Sequence, residues 1–337
     1  MLTILTAALL CAPLTAPDTL KPGDAAPPLQ VETWVKGEPV KAFEKGKVYV
    51  VEFWATWCGP CIAGMPHLSQ VQSEFKDKGV TIIGVTSVDQ NNTLEKVRTM
   101  VADKGDTMGY TVAWDTERKT NAAYMEAAGQ GGIPCCFLVD KEGKLAYIGH
   151  PYWLDEPLAA VVAGKWDVKA DNERLSKIQK ELSEIGREAD AKKALTAIDK
   201  FAKDYPTYAG RLDEMRFGAN LKAGDYAAAY EVGARLADEA IKHKDAQALN
   251  SLAWTIVDPE AKLEKRDLDL ALRAAEKANE FSGDKDPLIL DTLARVHFAR
   301  GDAKKALELQ RRAVELAPEK MKANLQKALS EYEKGLQ

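Results

Sequence analysis

Residues 48–61 read VYVVEFWATWCGPC: a β-branched and aromatic run, then two cysteines with Gly59 and Pro60 between them. In the run, Val48, Val50, Glu52 and Trp54 share one face, and Tyr49, Val51 and Phe53 share the other. Both faces are apolar, so the run is expected to be a central strand with one carboxyl set inside it. Pro60 fits the first turn of a helix, where its missing N–H costs little. The segment therefore predicts a strand, a tight turn and a helix that begins at Cys58. There the first sulfur faces unsatisfied backbone N–H groups and the positive end of the helix dipole, and both favour thiolate. Cys61, one turn further on, lies within disulfide reach and can resolve a mixed disulfide. Zinc would need a second cysteine pair or histidines at matching spacing. The adjacent Cys135 and Cys136 and the scattered His67, His150, His243 and His297 provide neither. Dithiol redox chemistry is expected, with no metal and no cofactor beyond a Cys58–Cys61 redox disulfide.

The 337 residues suggest two domains. All five cysteines fall in the first 136 residues, so the thiol chemistry belongs to the N-terminal part. With 46 Lys and Arg against 51 Asp and Glu, no basic excess exists to neutralise phosphates, and nucleic acid is not an expected partner. Residues 1–16, MLTILTAALLCAPLTA, carry an apolar core of signal-peptide length that is too short to span a membrane. No Lys or Arg precedes it, and Leu10 sits where a lipid-attachment site at Cys11 would need a small residue. The reading is an exported chain, periplasmic or otherwise extracytoplasmic, with a cytoplasmic location as the alternative. Residues 17–28, with four prolines, read as a linker. From 29 to 166, strands are expected at Val48–Trp54, Val80–Val88, Thr111–Trp114, Cys135–Val139 and Leu145–Ile148, with helices at Ile62–Phe75, Asn92–Lys104 and Thr120–Ala128. That alternation predicts an α/β domain. Beyond a boundary near Gly164–Asp171 the strands vanish, and residues 167–337 read as all-α.

The segment FWATWCGPC resembles the active site of thioredoxin-fold proteins, and the wider pattern resembles their exported, TlpA-like (redoxin) branch of thiol–disulfide reductases. Pro66, eight residues after Cys58, sits where that family's active-site helix carries a kinking proline. Gly132-Ile133-Pro134, the strand CCFLVD, and then Gly143 and Gly149 match the family's later segment. The stretch between Val88 and Thr111 resembles the extra helical insertion of the exported branch. The resemblance covers about Leu20 to Val162. It implies a thioredoxin fold, a central mixed sheet flanked by helices, with Pro134 as the cis-proline. Trp57, Gly59, Pro60 and Ile133 are expected to flank the reactive sulfur and contact substrate along with Pro134.

Glu52 admits two readings. A buried carboxyl is costly unless paired or protonated, so it reaches either a polar edge or a buried water; alternatively it shuttles a proton for Cys61, because desolvation raises a carboxyl pKa toward neutrality. It falls where the thioredoxin branch has its buried acid, six residues before Cys58, although the strand beginning at Val80 offers no lysine partner. Cys135 and Cys136 depart from the family pattern. Adjacent cysteines seldom bridge, since disulfide geometry fits them badly; buried thiols are expected, with an auxiliary redox role for Cys135 as the alternative. His67 reads as a surface or packing residue.

The C-terminal part contains spaced recurrences. Ala271 and Ala278 recur 35 residues later as Ala306 and Ala313, while Ala253 recurs at Ala294 after 41, the loop around Pro259–Lys265 being longer. Gly224-Asp225-Tyr226 with Ala229 marks a third copy. The spacing resembles tetratricopeptide repeats, whose helical hairpins stack and leave a concave surface for a partner. The expected activity is reduction of protein disulfides by Cys58 and Cys61, with an electron donor that the sequence does not name and a partner docked on the repeats. Three rivals remain: a disulfide-forming oxidase, a peroxiredoxin-like peroxidase, and a helical-repeat scaffold with a vestigial redox domain.

Overall fold

The computed structural model describes residues 19–334. The candidate signal peptide at 1–16, Cys11 included, lies outside the described residues. The chain divides into two compact units, Met1–Lys177 and Ile178–Gln337.

The first unit is built on one six-stranded sheet. Its strands are β1 (Thr33–Lys36), β2 (Val48–Trp54), β3 (Val80–Ser87), β4 (Thr111–Asp115), β5 (Cys135–Val139) and β6 (Leu145–Gly149), in the order β1-β4-β3-β2-β5-β6. β2 and β4 run parallel to β3, whereas β1, β5 and β6 pair antiparallel to their neighbours, which makes the sheet mixed. All seven residues of β2 are buried, as two apolar faces require of a central strand. The unexpected strand is β1. It is short, only half-buried and broken by a bulge between Trp34 and Lys36, so its alternation is too weak to stand out.

Each face of β2 has its own cover. Tyr49, Val51 and Phe53 pack with Tyr124, Met125, Phe137 and Leu145. Helix α1 (Gly59–Phe75) buries Met65, Leu68 and Val71 outside that cluster, and its Gln72 grips β3 by accepting from Ile82 N at 2.6 Å and donating to Val80 O at 3.0 Å. Helix α2 (Leu94–Lys104) is capped by Thr93, which accepts from Lys96 N. Asn92, expected inside this helix, is withheld from it because its side chain is drawn into the core. The helix expected over Thr120–Ala128 forms as one turn, α3 (Lys119–Asn121), followed by a π-helical turn at Ala122–Glu126. Helix α4 (Asp155–Val162) follows β6.

The proline-bearing segment read as a linker is laid against the sheet where it is described. Gly23 N donates to Leu145 O at 2.7 Å, Leu145 N to Asp24 O at 2.8 Å and Ala26 N to Gly143 O at 2.9 Å. Leu20, Ala26 and Leu29 pack on the Phe53 face. Prolines punctuate the segment without freeing it, since an edge pairing needs only alternate N–H groups.

Helix α5 (Val168–Arg187) runs across the division between the units. The second unit continues as α6 (Ala191–Asp204), α7 (Asp213–Ala223), α8 (Tyr226–Lys242), α9 (Ala246–Val257), α10 (Leu268–Phe281), α11 (Pro287–Ala299), α12 (Ala303–Leu316) and α13 (Glu319–Lys334). Six of these, α6 and α8–α12, start from an aspartate whose carboxylate accepts a first-turn N–H: Asp190, Asp225, Asp245, Asp267, Asp286 and Asp302. Ala229, Ala253, Ala271, Ala278, Ala294, Ala306 and Ala313 are all fully buried in one core cluster. Small residues at these positions let neighbouring helices approach closely. No described helix is long and apolar enough to cross a membrane.

Candidate active site

Cys58 and Cys61 are joined as a disulfide at the start of α1. Cys58 is the N-cap in extended conformation, and its sulfur accepts from Cys61 N at 3.2 Å. Pro60 occupies the first turn and Pro66 lies inside the helix. Both cysteines are buried, while Trp57, Gly59 and Pro60 are exposed around them. The Ile133–Pro134 peptide is cis. Ile133 O lies 3.8 Å from the Cys58 sulfur, so the loop before β5 meets the helix start at the reactive atom. A groove of about 460 Å³ runs beside them, lined by Trp57, Asp89, Arg118, Gln130, Gly132 and Ile133 among others. The expected substrate-contact residues are thus brought to one place, with Pro134 buried behind Ile133.

The residues that hold this loop are ones the sequence reading passed over. Asn92 is fully buried and accepts both from Thr56 N at 3.0 Å and from Thr56 Oγ1 at 2.8 Å. Its amide donates to Thr86 Oγ1 at 2.8 Å and to Ser87 O at 2.7 Å, tying the approach to Cys58 onto the end of β3. Asp89 accepts from the Trp57 indole N–H at 2.8 Å and from the backbone N–H groups of Asn91 and Asn92. Five consecutive polar residues, DQNNT at 89–93, were the available signal, but such a run reads as an ordinary loop.

Glu52 is 2% exposed and pairs in register with Gly84 of β3 and Cys136 of β5. One of its carboxyl oxygens, Oε2, is buried without a hydrogen-bond partner. Burial alone lifts its pKa from an ordinary 4.5 to about 8. Cys135 and Cys136 point to opposite faces, beside Phe53 and Glu52 respectively, and both remain free thiols. Burial pushes the Cys135 thiol up to about 12 and raises Cys136 as well. His67 lies on the exposed side of α1 and pairs with Asp155 at 2.8 Å.

Chemically, this arrangement can cycle between dithiol and disulfide. A sulfur at a helix N-terminus accepts a backbone N–H, a second sulfur lies within bonding distance, and an acid with a raised pKa is set in the sheet beneath.

The redoxin family model matches residues 21–157. Protein FixW of Rhizobium leguminosarum is 30% identical over 152 residues, 44% of this chain and 69% of FixW. The thiol-disulfide oxidoreductase ResA of Bacillus thuringiensis (strain Al Hakam) is 34% identical over 116 residues, 34% of this chain and 62% of ResA. The thioredoxin domain of a thiol-disulfide oxidoreductase from Bacteroides vulgatus is 27% identical and superposes over 44% of this chain and 99% of that domain, with a TM-score of 0.35. With the Cys58–Cys61 pair at the head of α1, a redoxin match over residues 21–157 and FixW as a relative, the chain belongs to the redoxin family.

Proposed function

We propose that this protein reduces disulfides of protein substrates outside the cytoplasm, with Cys58 as nucleophile and Cys61 as resolving thiol. The reading rests on one observation above all: the Cys58 sulfur is the N-cap of α1 and lies 3.8 Å from Ile133 O. In the dithiol form the helix start favours a Cys58 thiolate. That thiolate attacks one substrate sulfur, the substrate S–S bond breaks, and the departing sulfur takes up a proton. The Cys61 thiol then gives its proton to the Glu52 carboxylate and attacks the Cys58 sulfur. The mixed disulfide breaks, the second substrate thiol leaves, and Cys58–Cys61 is again a disulfide. Two electrons pass to the substrate, and an electron donor must restore them. Trp57, Gly59, Pro60, Ile133 and Pro134 would line the bound substrate chain.

The Gly-Pro pair between the cysteines supports the reducing direction, being that of thioredoxin, whose potential is about −270 mV. The helical unit is assigned to partner docking by its tetratricopeptide-like spacing. Holding a protein there would raise the local concentration of its disulfide near Cys58.

The test is the pair of single variants. Cys58→Ser should abolish insulin reduction, and Cys61→Ser should accumulate covalent substrate adducts that dithiothreitol releases. Substantial activity in Cys58→Ser would overturn the assignment of the nucleophile. A Cys58–Cys61 potential near −120 mV, the range of strong oxidants, would overturn the direction.

A further inference from the structure

Three polar atoms buried near the middle of the sheet find no hydrogen-bond partner: Glu52 Oε2, Trp54 Nε1 and Tyr110 Oη. Their residues are 2%, 3% and 4% exposed, so bulk water does not serve them. They also converge. Glu52 and Trp54 are two apart on β2 and share a face. Gly84 is the register partner of Glu52 on β3. A Cβ placed on Gly84 would lie 3.0 Å from Trp54 Nε1 and 3.0 Å from Tyr110 Cε2, so the indole N–H and the phenol ring close on the same glycine. The Tyr110 phenol in turn feels the charge of Glu52. The segment carrying Tyr110 is fixed from two sides: Lys36 Nζ donates to Gly105 O and Met108 O, and Gly109 N donates to Ser69 Oγ of α1.

The three groups are chemically complementary. Trp54 supplies an N–H donor, Tyr110 an O–H that donates or accepts, and Glu52 an acceptor or, when protonated, a donor. Buried polar groups are costly to leave unpaired, and a buried water typically makes about three hydrogen bonds to such groups. We propose that Glu52, Trp54 and Tyr110, drawn together where Gly84 lacks a Cβ, share one internal water, through which Tyr110 acts as the positioning residue for the Glu52 carboxyl. The inference rests on the reading of Glu52 as the proton acceptor of Cys61. It also takes the place of the cationic partner that β3 does not offer the acid: a neutral phenol, one water away, stabilises the carboxylate by hydrogen bonding instead of charge. Facing Glu52 from β5 is the Cys136 thiol, from β3 only Gly84, and from the segment before β4 the Tyr110 phenol. Cys61 is the titratable group that α1 contributes to its buried side. No cation contributes to the Glu52 shift.

The experiment follows the Glu52 carboxyl by infrared difference spectroscopy and by carboxyl-labelled NMR on the full chain, oxidised and reduced, with Glu52→Gln to assign the signal. Tyr110→Phe keeps the ring and removes only the hydroxyl. The lost donor should raise the Glu52 midpoint by about one pH unit, and the ascending limb of the turnover–pH profile should move with it. Gly84→Ala should shift the midpoint in the same direction by pushing the Trp54 indole and the Tyr110 ring away from Glu52. If Tyr110→Phe is folded by circular dichroism and its Glu52 midpoint matches the wild type, the water site is refuted, whether or not Gly84→Ala folds. If the midpoint moves in Tyr110→Phe but Glu52→Gln leaves the turnover–pH profile unchanged, the water site stands and the proton-shuttle reading fails.

Discussion

Replacing Glu52 with Gln should stabilise the first unit, and the gain should grow with pH. The Glu52 carboxyl is raised from 4.5 to about 8 by burial, with no opposing interaction. Between those values the folded chain holds a proton that the unfolded chain has released. Folding stability therefore falls as pH rises, by the difference in bound protons at each pH. The contribution is most favourable below pH 4.5, declines through neutrality and levels off above about pH 8. The full span corresponds to about 5 kcal/mol, of which roughly 3–4 kcal/mol accrues between pH 5 and pH 8. The Glu52→Gln variant buries an uncharged amide of the same shape and carries no such dependence.

Tryptophan fluorescence reports selectively on this unit, because Trp34, Trp54, Trp57, Trp114, Trp153 and Trp166 precede the division and only Trp254 follows it. Guanidinium unfolding of the oxidised full chain at pH 5, 6, 7 and 8 should give stability curves for wild type and Glu52→Gln that diverge steadily, with the variant ahead at pH 8. A constant offset between the two is immaterial; only the divergence tests the argument. Parallel curves from pH 5 to pH 8 would mean that Glu52 is ionised across that range, and the burial argument would be wrong.

Asn92→Ala breaks four hydrogen bonds, two of them to the buried Thr86 hydroxyl and Ser87 carbonyl, so it should cost about 3 kcal/mol in the same unfolding assay and lower turnover by loosening the approach to Cys58. Cys135→Ser should leave turnover unchanged, and native-state iodoacetamide should not label Cys135, because burial holds its thiol un-ionised at neutral pH. In the helical unit, Arg295 makes a two-pronged bond to Glu331 at 2.7 and 2.9 Å and stacks on Tyr332. Arg295→Ala should cost about 2 kcal/mol and speed amide exchange in α13, with Arg295→Met milder because the stem packing survives.

What the sequence discloses depends on whether a residue's role is written in its own neighbourhood. The strand at Val48–Trp54, the helix start at Cys58 and the proline before β5 are local patterns, and the structure places all three as expected. The buried position of Glu52 is legible too, because alternation along β2 is a local property. Asn92 and Asp89 escape because their partners, Thr56, Thr86 and Trp57, come from other elements, and nothing in DQNNT announces which of its side chains turns inward. The segment at 20–28 misleads for a related reason: three prolines in nine residues describe its backbone stiffness and say nothing of the sheet edge that receives it. Tyr110 and Gly84 are 26 residues apart and meet only because β3 and β4 lie side by side.

The same burial that destabilises the first unit at neutral pH suits Glu52 to the proposed proton transfer. An ordinary thiol releases its proton near pH 8.5, and an exposed glutamate takes one up only near 4.3; transfer between them is uphill by about 6 kcal/mol. With the Glu52 pKa raised to about 8, its carboxylate is a far stronger proton acceptor than an exposed glutamate, which lowers that obstacle from the acceptor's side. Stability and turnover should therefore respond to Glu52→Gln with opposite signs: the variant gains stability as pH rises and loses rate at the resolving step. A purely structural acid would predict the first effect without the second. A catalytic acid that is ionised when folded would predict the second without the first. Measuring both on one preparation of the variant distinguishes these cases, and only the raised, proton-accepting carboxyl gives the two together.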